Sequence, residues 1–161
     1  YRSGDREAVA RLSARLLELL DDIDRLVAAD TYFLLGKWIS DARSMGTTPA
    51  ERDYFERDAR NILTTWGGRG YSLNDYANRT WSGLVSDYYK ERWQRFYDRL
   101  QSGGELDEEA LLQELQDFEW EWVGRKERFA VKPRGDAFRL CRSLYTKYAA
   151  AIDRFYTEKT E

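Results

Sequence analysis

The sequence contains no histidine, one cysteine, one methionine and two prolines. Without histidine, the commonest general base, the commonest zinc ligand and the usual near-neutral pH switch are all missing. Cys141 has no second cysteine to pair with and no Cys or His partner for a metal site or an activated thiol. As a small apolar side chain it is expected in the core. No apolar run approaches the roughly 18 to 20 residues that a bilayer span requires. Neither charge sign dominates: 26 Lys and Arg stand against 29 Asp and Glu, a formal net charge of -3, and the signs alternate along the chain. A phosphate backbone calls for a basic stripe, so this pattern argues against nucleic acid as a partner. The chain opens Tyr1-Arg2-Ser3-Gly4-Asp5, with neither an initiating methionine nor a signal-peptide pattern, and is read as starting inside a longer protein.

What is present is helical periodicity. The 161 residues suffice for one domain with a substantial core. Val9, Leu12, Leu16, Leu19, Leu20, Ile23, Leu26 and Val27 form one stripe, which predicts an amphipathic helix over about 5–29. Asp30 is placed to cap a second helix carrying Phe33, Leu34, Leu35, Trp38, Ile39, Ala42 and Met45 and ending near Gly46. Thr48-Pro49-Ala50-Glu51 reads as a capping box with proline at the first helical position. That third helix should run to about Trp66, where Trp66-Gly67-Gly68-Arg69-Gly70 breaks it. Helix is expected to resume near 72–75, carry Tyr76, Ala77, Trp81, Leu84, Val85, Tyr88 and Tyr89, and continue through Trp93 to Leu100, with room for a bend. A further helix starts near Asp107, and a last one covers about 136–156 after a turn containing Pro133 and Gly135. The expected fold is all-α, a compact bundle of about six to seven helices.

Acidic groups such as Asp21, Asp22 and Asp24, or Glu114, Asp117, Glu119 and Glu121, lie on charged helix faces beside Arg and Lys. Solvated ion pairs are the preferred reading, because a glycosidase acid and base must face each other across a cleft. The Asp21 cluster also lacks the glycine and ligand spacing of a calcium loop, and no metal or cofactor is assigned. Aromatic residues make up 15% of the chain, more large aromatic surface than a bundle of this size needs. Trp81, Tyr88 and Phe96, at helical spacing, are read as core. Trp66 sits where a helix gives way to a glycine-rich loop, and either presents its ring to a ligand or caps its own helix. The loop is a poor phosphate cradle, since no Gly-Lys-Ser/Thr follows it.

Asn61-Ile62-Leu63-Thr64-Thr65-Trp66-Gly67, then Asn74-Asp75-Tyr76-Ala77-Asn78-Arg79, then Trp81 to Trp93 through Gly83-Leu84-Val85, Tyr88-Tyr89 and Arg92 occur in a distinctive order. Phe33-Leu34-Leu35-Gly36-Lys37-Trp38 and Pro133-Arg134-Gly135-Asp136 flank them. Together these segments resemble the C-terminal helical region of family 89 glycoside hydrolases, the α-N-acetylglucosaminidases. The resemblance covers most of the chain. It implies a parent enzyme with a small α/β domain, a central barrel and this helical domain packed beside it, hydrolysing terminal α-linked N-acetylglucosamine with retention. The family's two catalytic glutamates belong to the barrel, so no catalytic residue is assigned here. Trp66, Leu73 and Tyr76 match residues that line the active-site cleft. Gly67 would let the backbone turn close to the sugar, and Asp75, Asn78 and Arg79 would support the loop and the domain interface. The implied partners are the upstream barrel of the same polypeptide and a glycan ending in α-N-acetylglucosamine, and the implied location is exported: periplasmic, extracellular or lysosomal. A self-sufficient carbohydrate-binding module and a purely structural interaction domain are the alternatives.

Overall fold

Four of the six described α-helices begin where a short polar side chain satisfies the first free amides. The structure, a computed structural model, describes residues 5–103 and 105–157. Helix α1 (Arg6–Val27) is capped by Asp5, whose carboxylate accepts the Ala8 amide at 2.8 Å. Helix α2 (Leu35–Ser44) is followed by α3 (Pro49–Asn61), where Thr48 and Glu51 form the reciprocal capping box. Helix α4 (Lys90–Gln101) continues a π-helical stretch over Val85–Tyr89. Helix α5 (Glu108–Gly124) is capped by Asp107 and α6 (Ala137–Thr157) by Asp136, which accepts the Arg139 amide at 3.0 Å. Neighbours run in the order α2, α3, α5, α4, α1, α6. The only strand-like pairing among the described residues is an isolated parallel bridge between Leu34 and Ser82. The architecture is all-α, with six α-helices among the described residues, and no described helix is long and apolar enough to cross a membrane.

The core forms where α2, the 62–84 segment, the π stretch and α5 meet: Leu35, Ile39, Leu63, Leu84, Tyr88, Phe118 and Trp122. Buried charge threads through it. Arg60 and Glu56, both fully buried, pair at 3.2 Å one turn apart on α3, and Arg60 also donates to the Glu127 carbonyl at 3.1 Å and lies over the Trp122 ring.

Four expectations need correction. Helix α3 stops at Asn61 rather than near Trp66, because Trp66 adopts a left-handed backbone (φ 57°) and the intervening residues form turns. Helix does not resume near 72–75: Asp75 (φ 58°) and Asn78 (φ 44°) are also left-handed, which no helix tolerates, and regular helix returns only at Leu84. Asp30 caps a short 3-10 turn, Thr31–Phe33, instead of α2 itself. Cys141 is exposed, on the outward side of α6 with Phe138, Tyr145 and Ile152.

The Asp21, Asp22 and Asp24 cluster proves to be structural, though only partly solvated. Asp21 pairs with Lys90 at the surface. Asp24 caps the next helix in space: its carboxylate accepts the Gly83 amide at 2.7 Å, the Ser86 amide at 3.2 Å and the Ser82 hydroxyl at 3.0 Å. Buried Asp22 ties α6 to α1, accepting from Lys147 at 2.5 Å and from the Tyr148 hydroxyl at 2.7 Å. The Lys147 hydrogen bond holds the Asp22 carboxyl below the ordinary carboxylate range, outweighing the opposing effect of desolvation.

Two outcomes are expected. Asp24→Ala should cost about 2 kcal/mol in urea denaturation, whereas Asp21→Ala, which breaks an exposed pair, should cost less than about 1 kcal/mol. Because the folded Asp22 carboxyl titrates below its unfolded value, near pH 4, its stabilisation is complete above that value and is lost as pH falls through the depressed one. Amide exchange protection of α6 should therefore drop in acid before that of α5, and Asp22→Asn should abolish the difference.

Candidate aromatic site at the end of the third helix

Three side chains of the non-helical segment between α3 and α4 converge with one from α2 to form an open pocket of about 430 Å³. Trp66, Tyr76 and Trp81 come from the segment and Trp38 from α2, with Ile62, Leu63, Ala77 and Arg79 completing the lining. Trp66 and Tyr76 meet edge to face at 5.2 Å, and Trp38 and Trp81 pair at 5.8 Å. The Arg79 guanidinium lies over the Trp81 ring at 6.0 Å. The Trp38 indole is fixed by donating to the Ala59 carbonyl at 2.9 Å. Neither the Trp66 indole N–H nor the Tyr76 hydroxyl has a hydrogen-bond partner among the described residues. Apolar ring faces with free polar tips suit a ligand that offers both C–H surface and hydroxyls.

The turn that presents Trp66 is built from α3's own end. Asn61 accepts the Trp66 amide on its carbonyl at 2.9 Å, donates its side-chain amide to the Gly67 carbonyl at 3.0 Å and accepts from the Thr65 hydroxyl at 3.1 Å. The space beside Gly67 holds the Tyr71 ring, since a Cβ there would lie 2.7 Å from Tyr71 Cγ. A left-handed backbone costs a bulky residue about 1–2 kcal/mol, and glycine would escape that cost. Trp66 occupies the position nonetheless, and the residue is 37% exposed.

The rest of the segment is held from below by charge. Asp75 pairs with Arg92 of α4 at 2.5 Å, and Arg92 pairs in turn with Glu119 of α5 at 2.9 Å. Glu119 also accepts a hydrogen bond from the Asn74 amide. Desolvation pushes both carboxyls above their ordinary range, with Arg92 opposing the shift in each. Burial, reinforced by the Asp75 charge, pushes the Tyr89 hydroxyl up to about 12. The Asp75 amide donates to the Thr64 carbonyl at 2.7 Å, and the Asn78 amide to the Asp75 carbonyl at 2.9 Å.

Of the residues expected from sequence, Trp66 and Tyr76 are in contact and Arg79 joins them in the lining. Leu73 is exposed but does not line this pocket. Asp75 supports the loop through Arg92, and Asn78 is exposed with a left-handed backbone. Trp38 and Trp81 line the pocket but are invisible as such in the sequence, where helical spacing makes them look like core. Arg92, Glu119 and Asn74 leave no local signal either, because their partners lie 17 to 45 residues away. No carboxylate lines the pocket, and no described group of three His, Cys, Asp or Glu residues could hold a metal ion.

Because Arg92 is three-quarters buried between two carboxylates, Arg92→Ala should cost about 2–3 kcal/mol by leaving them unpaired. Arg69→Ala, which removes a more exposed pair with Asp117, should cost less than about 1 kcal/mol. Denaturant titration of both variants checks the contrast.

Comparison with known proteins gives this geometry a family. The model for the alpha-N-acetylglucosaminidase (NAGLU) C-terminal domain matches residues 1–147. The human alpha-N-acetylglucosaminidase is 36% identical over 135 residues, which is 81% of this chain and 18% of that protein. Among solved structures, a family 89 glycoside hydrolase from Clostridium perfringens in complex with PUGNAc superimposes with a TM-score of 0.78 at 32% identity, covering 88% of this chain and 17% of that one. A variant of the Clostridium perfringens enzyme in complex with its substrate GlcNAc-α-1,4-galactose gives a TM-score of 0.80 at 31% identity, covering 91% and 18%. The chain thus spans less than a fifth of the length of the relatives it matches. By the extent of the family match and the agreement in fold, this chain belongs to the C-terminal domain family of the α-N-acetylglucosaminidases, glycoside hydrolase family 89.

Proposed function

We propose that this chain is the C-terminal helical part of a larger retaining glycosidase acting on terminal α-linked N-acetylglucosamine, and that its Trp66–Tyr76 face forms one wall of the active-site cleft. The observation that carries the reading is Trp66 itself: a large aromatic residue held at a backbone angle that favours glycine, with its ring edge against Tyr76 and its N–H unspent. Backbone strain of this kind concentrates where a side chain must be presented. The pocket supplies shape and stacking only. Glycoside hydrolysis needs two carboxyls about 5–10 Å apart, and the lining holds none, so the acid and the nucleophile come from an upstream catalytic barrel of the same polypeptide. Family resemblance supports a parent that works outside the cytoplasm, in the periplasm, the extracellular space or a lysosome.

A structural role accompanies the first. Phe138, Cys141, Tyr145 and Ile152 fall on one side of α6 at helical spacing and are exposed, although α6 docks on α1 with its other side. An apolar stripe of that length fits burial against the rest of the polypeptide.

In the full-length polypeptide, Trp66→Ala should lower kcat/KM on an α-N-acetylglucosaminide at least tenfold, about 1.4 kcal/mol of transition-state stabilisation, with the fold intact. An unchanged kcat/KM in the folded variant would refute the cleft-wall reading and leave Trp66 as a residue that only closes its own turn.

A further inference from the structure

Arg92 faces two carboxylates with a single charge. Asp75 pairs with it at 2.5 Å and Glu119 at 2.9 Å, and among the described residues neither acid has a second ion pair. When both acids are ionised, the cluster therefore holds a surplus negative charge. Tyr88 and Tyr89 of the π-helical stretch are the other titratable groups that feel the Asp75 charge, and they stay neutral, because burial pushes both hydroxyls above the ordinary tyrosine value.

The two acids are unequally provided for. Glu119 accepts from Arg92 on one oxygen and from the Asn74 amide on the other. Asp75 uses Oδ2 for Arg92, whereas its Oδ1 is buried and has no hydrogen-bond partner. A bare ionised oxygen in a buried place is costly, and a proton there removes both the unmet acceptor and the surplus charge. Acceptors for such a proton are also left over: Asn74 Oδ1 and the Tyr89 hydroxyl oxygen are buried without partners. Asp75 is, moreover, the corner at which the two parts of the Trp66 face join. Its backbone is left-handed (φ 58°), and its amide donates to the carbonyl of Thr64, two residues before Trp66. The residue after it, Tyr76, meets the Trp66 ring.

We propose that Asp75 is a positioning residue for the reaction at the Trp66 face and that it works as the neutral acid: a proton on Oδ1 balances the Arg92 cluster and holds the corner that sets Tyr76 against Trp66. The inference rests on the cleft-wall reading of that face. As pH rises the proton leaves, the buried cluster gains uncompensated negative charge, and the corner loosens. An acid whose folded value is raised, as desolvation raises that of Asp75, binds its proton more tightly in the ordered state. Order is thus favoured below the raised value and lost as pH climbs through it. Asp22 acts in the opposite sense, since its tie to α6 is lost in acid.

Asp75→Asn tests this directly, because asparagine keeps an acceptor for Arg92, tolerates the left-handed backbone and has no carboxyl proton to lose. In the full-length polypeptide, hydrogen exchange of residues 71–80 is followed after correction for the intrinsic effect of pH. The native protein should lose about five- to tenfold in protection between about pH 5 and about pH 8, and Asp75→Asn should stay level. Glu119→Gln, which removes the surplus charge from the other side, should also flatten the curve. The ratio of native to Asp75→Asn KM on an aryl α-N-acetylglucosaminide cancels the titration of groups elsewhere in the polypeptide. It should rise from about one to about three- to tenfold over the same range, with the kcat ratio level. Native protection that ignores pH, or a pH dependence that survives in Asp75→Asn, overturns the proton on Asp75. Exchange curves as expected with a level KM ratio overturn the positioning role. Trp66→Ala, run beside them, separates the two ideas: an unchanged kcat/KM in that variant removes the cleft wall, while the exchange curves still decide whether Asp75 holds the proton.

Discussion

Arg92 ties together three parts of the chain that nothing covalent brings close: the irregular segment through Asp75, the fourth helix on which it sits, and the fifth through Glu119. Everything that distinguishes this bundle from an ordinary stack of helices depends on that clamp. A stretch of about twenty residues without regular helix is costly inside a helical domain, because its amides lack the i to i−4 partners that helices provide. Here they are met one at a time, by the Thr64 carbonyl, by Asn61 and by Asp24 reaching across from the first helix. The buried charges add direction. A carboxylate held below the segment by a guanidinium fixes where the loop lies, and so where Tyr76, the next residue, stands relative to Trp66.

The helices were legible because each one is encoded by its own residues. Thr48 and Glu51 announce the start of α3, the stripe from Val9 to Val27 fixes α1, and Asp107 and Asp136 stand where α5 and α6 begin. The stretches 62–65 and 72–83 look helical in the sequence for the opposite reason, whereas the break at Trp66–Gly70 is legible from its glycines. Their apolar residues continue the helical period, but Asp75 and Asn78 take left-handed angles that their short polar side chains permit, and their amides are satisfied from elsewhere. Periodicity cannot register a partner that lies dozens of residues away. The same limit hid Trp38 and Trp81, which have core spacing yet end at a pocket, and it put Cys141 in the core by type when its helix face is open. Trp66 was legible as an unusual position from the glycines that follow it. Its left-handed backbone, the stronger argument, is visible only in the structure.

Taken together, the features describe a scaffold that presents aromatic surface at one end of α3. Carboxylates are plentiful, but four of those on the fifth helix are bound to arginines: Glu114 to Arg95 and Arg99, Asp117 to Arg69, Glu119 to Arg92 and Glu121 to Arg125. An acid already engaged in such a pair is poorly placed to donate a proton to a leaving group or to attack a sugar carbon. Trp66 and Tyr76, by contrast, have polar tips without a hydrogen-bond partner among the described residues. This division of labour agrees with a chain that spans less than a fifth of its relatives, most of whose length lies elsewhere.

The central claim is that the Trp66 ring faces bound sugar in the assembled enzyme, and the most direct measurement is spectroscopic. The full-length polypeptide, labelled with 5-fluorotryptophan and with the Trp66 resonance assigned from its loss in Trp66→Phe, would be titrated with N-acetylglucosamine and followed by fluorine NMR. The account predicts a saturable shift of the Trp66 resonance, while that of Trp122, fully buried in the core, stays in place. A Trp66 resonance unmoved at sugar concentrations that inhibit the enzyme would contradict it.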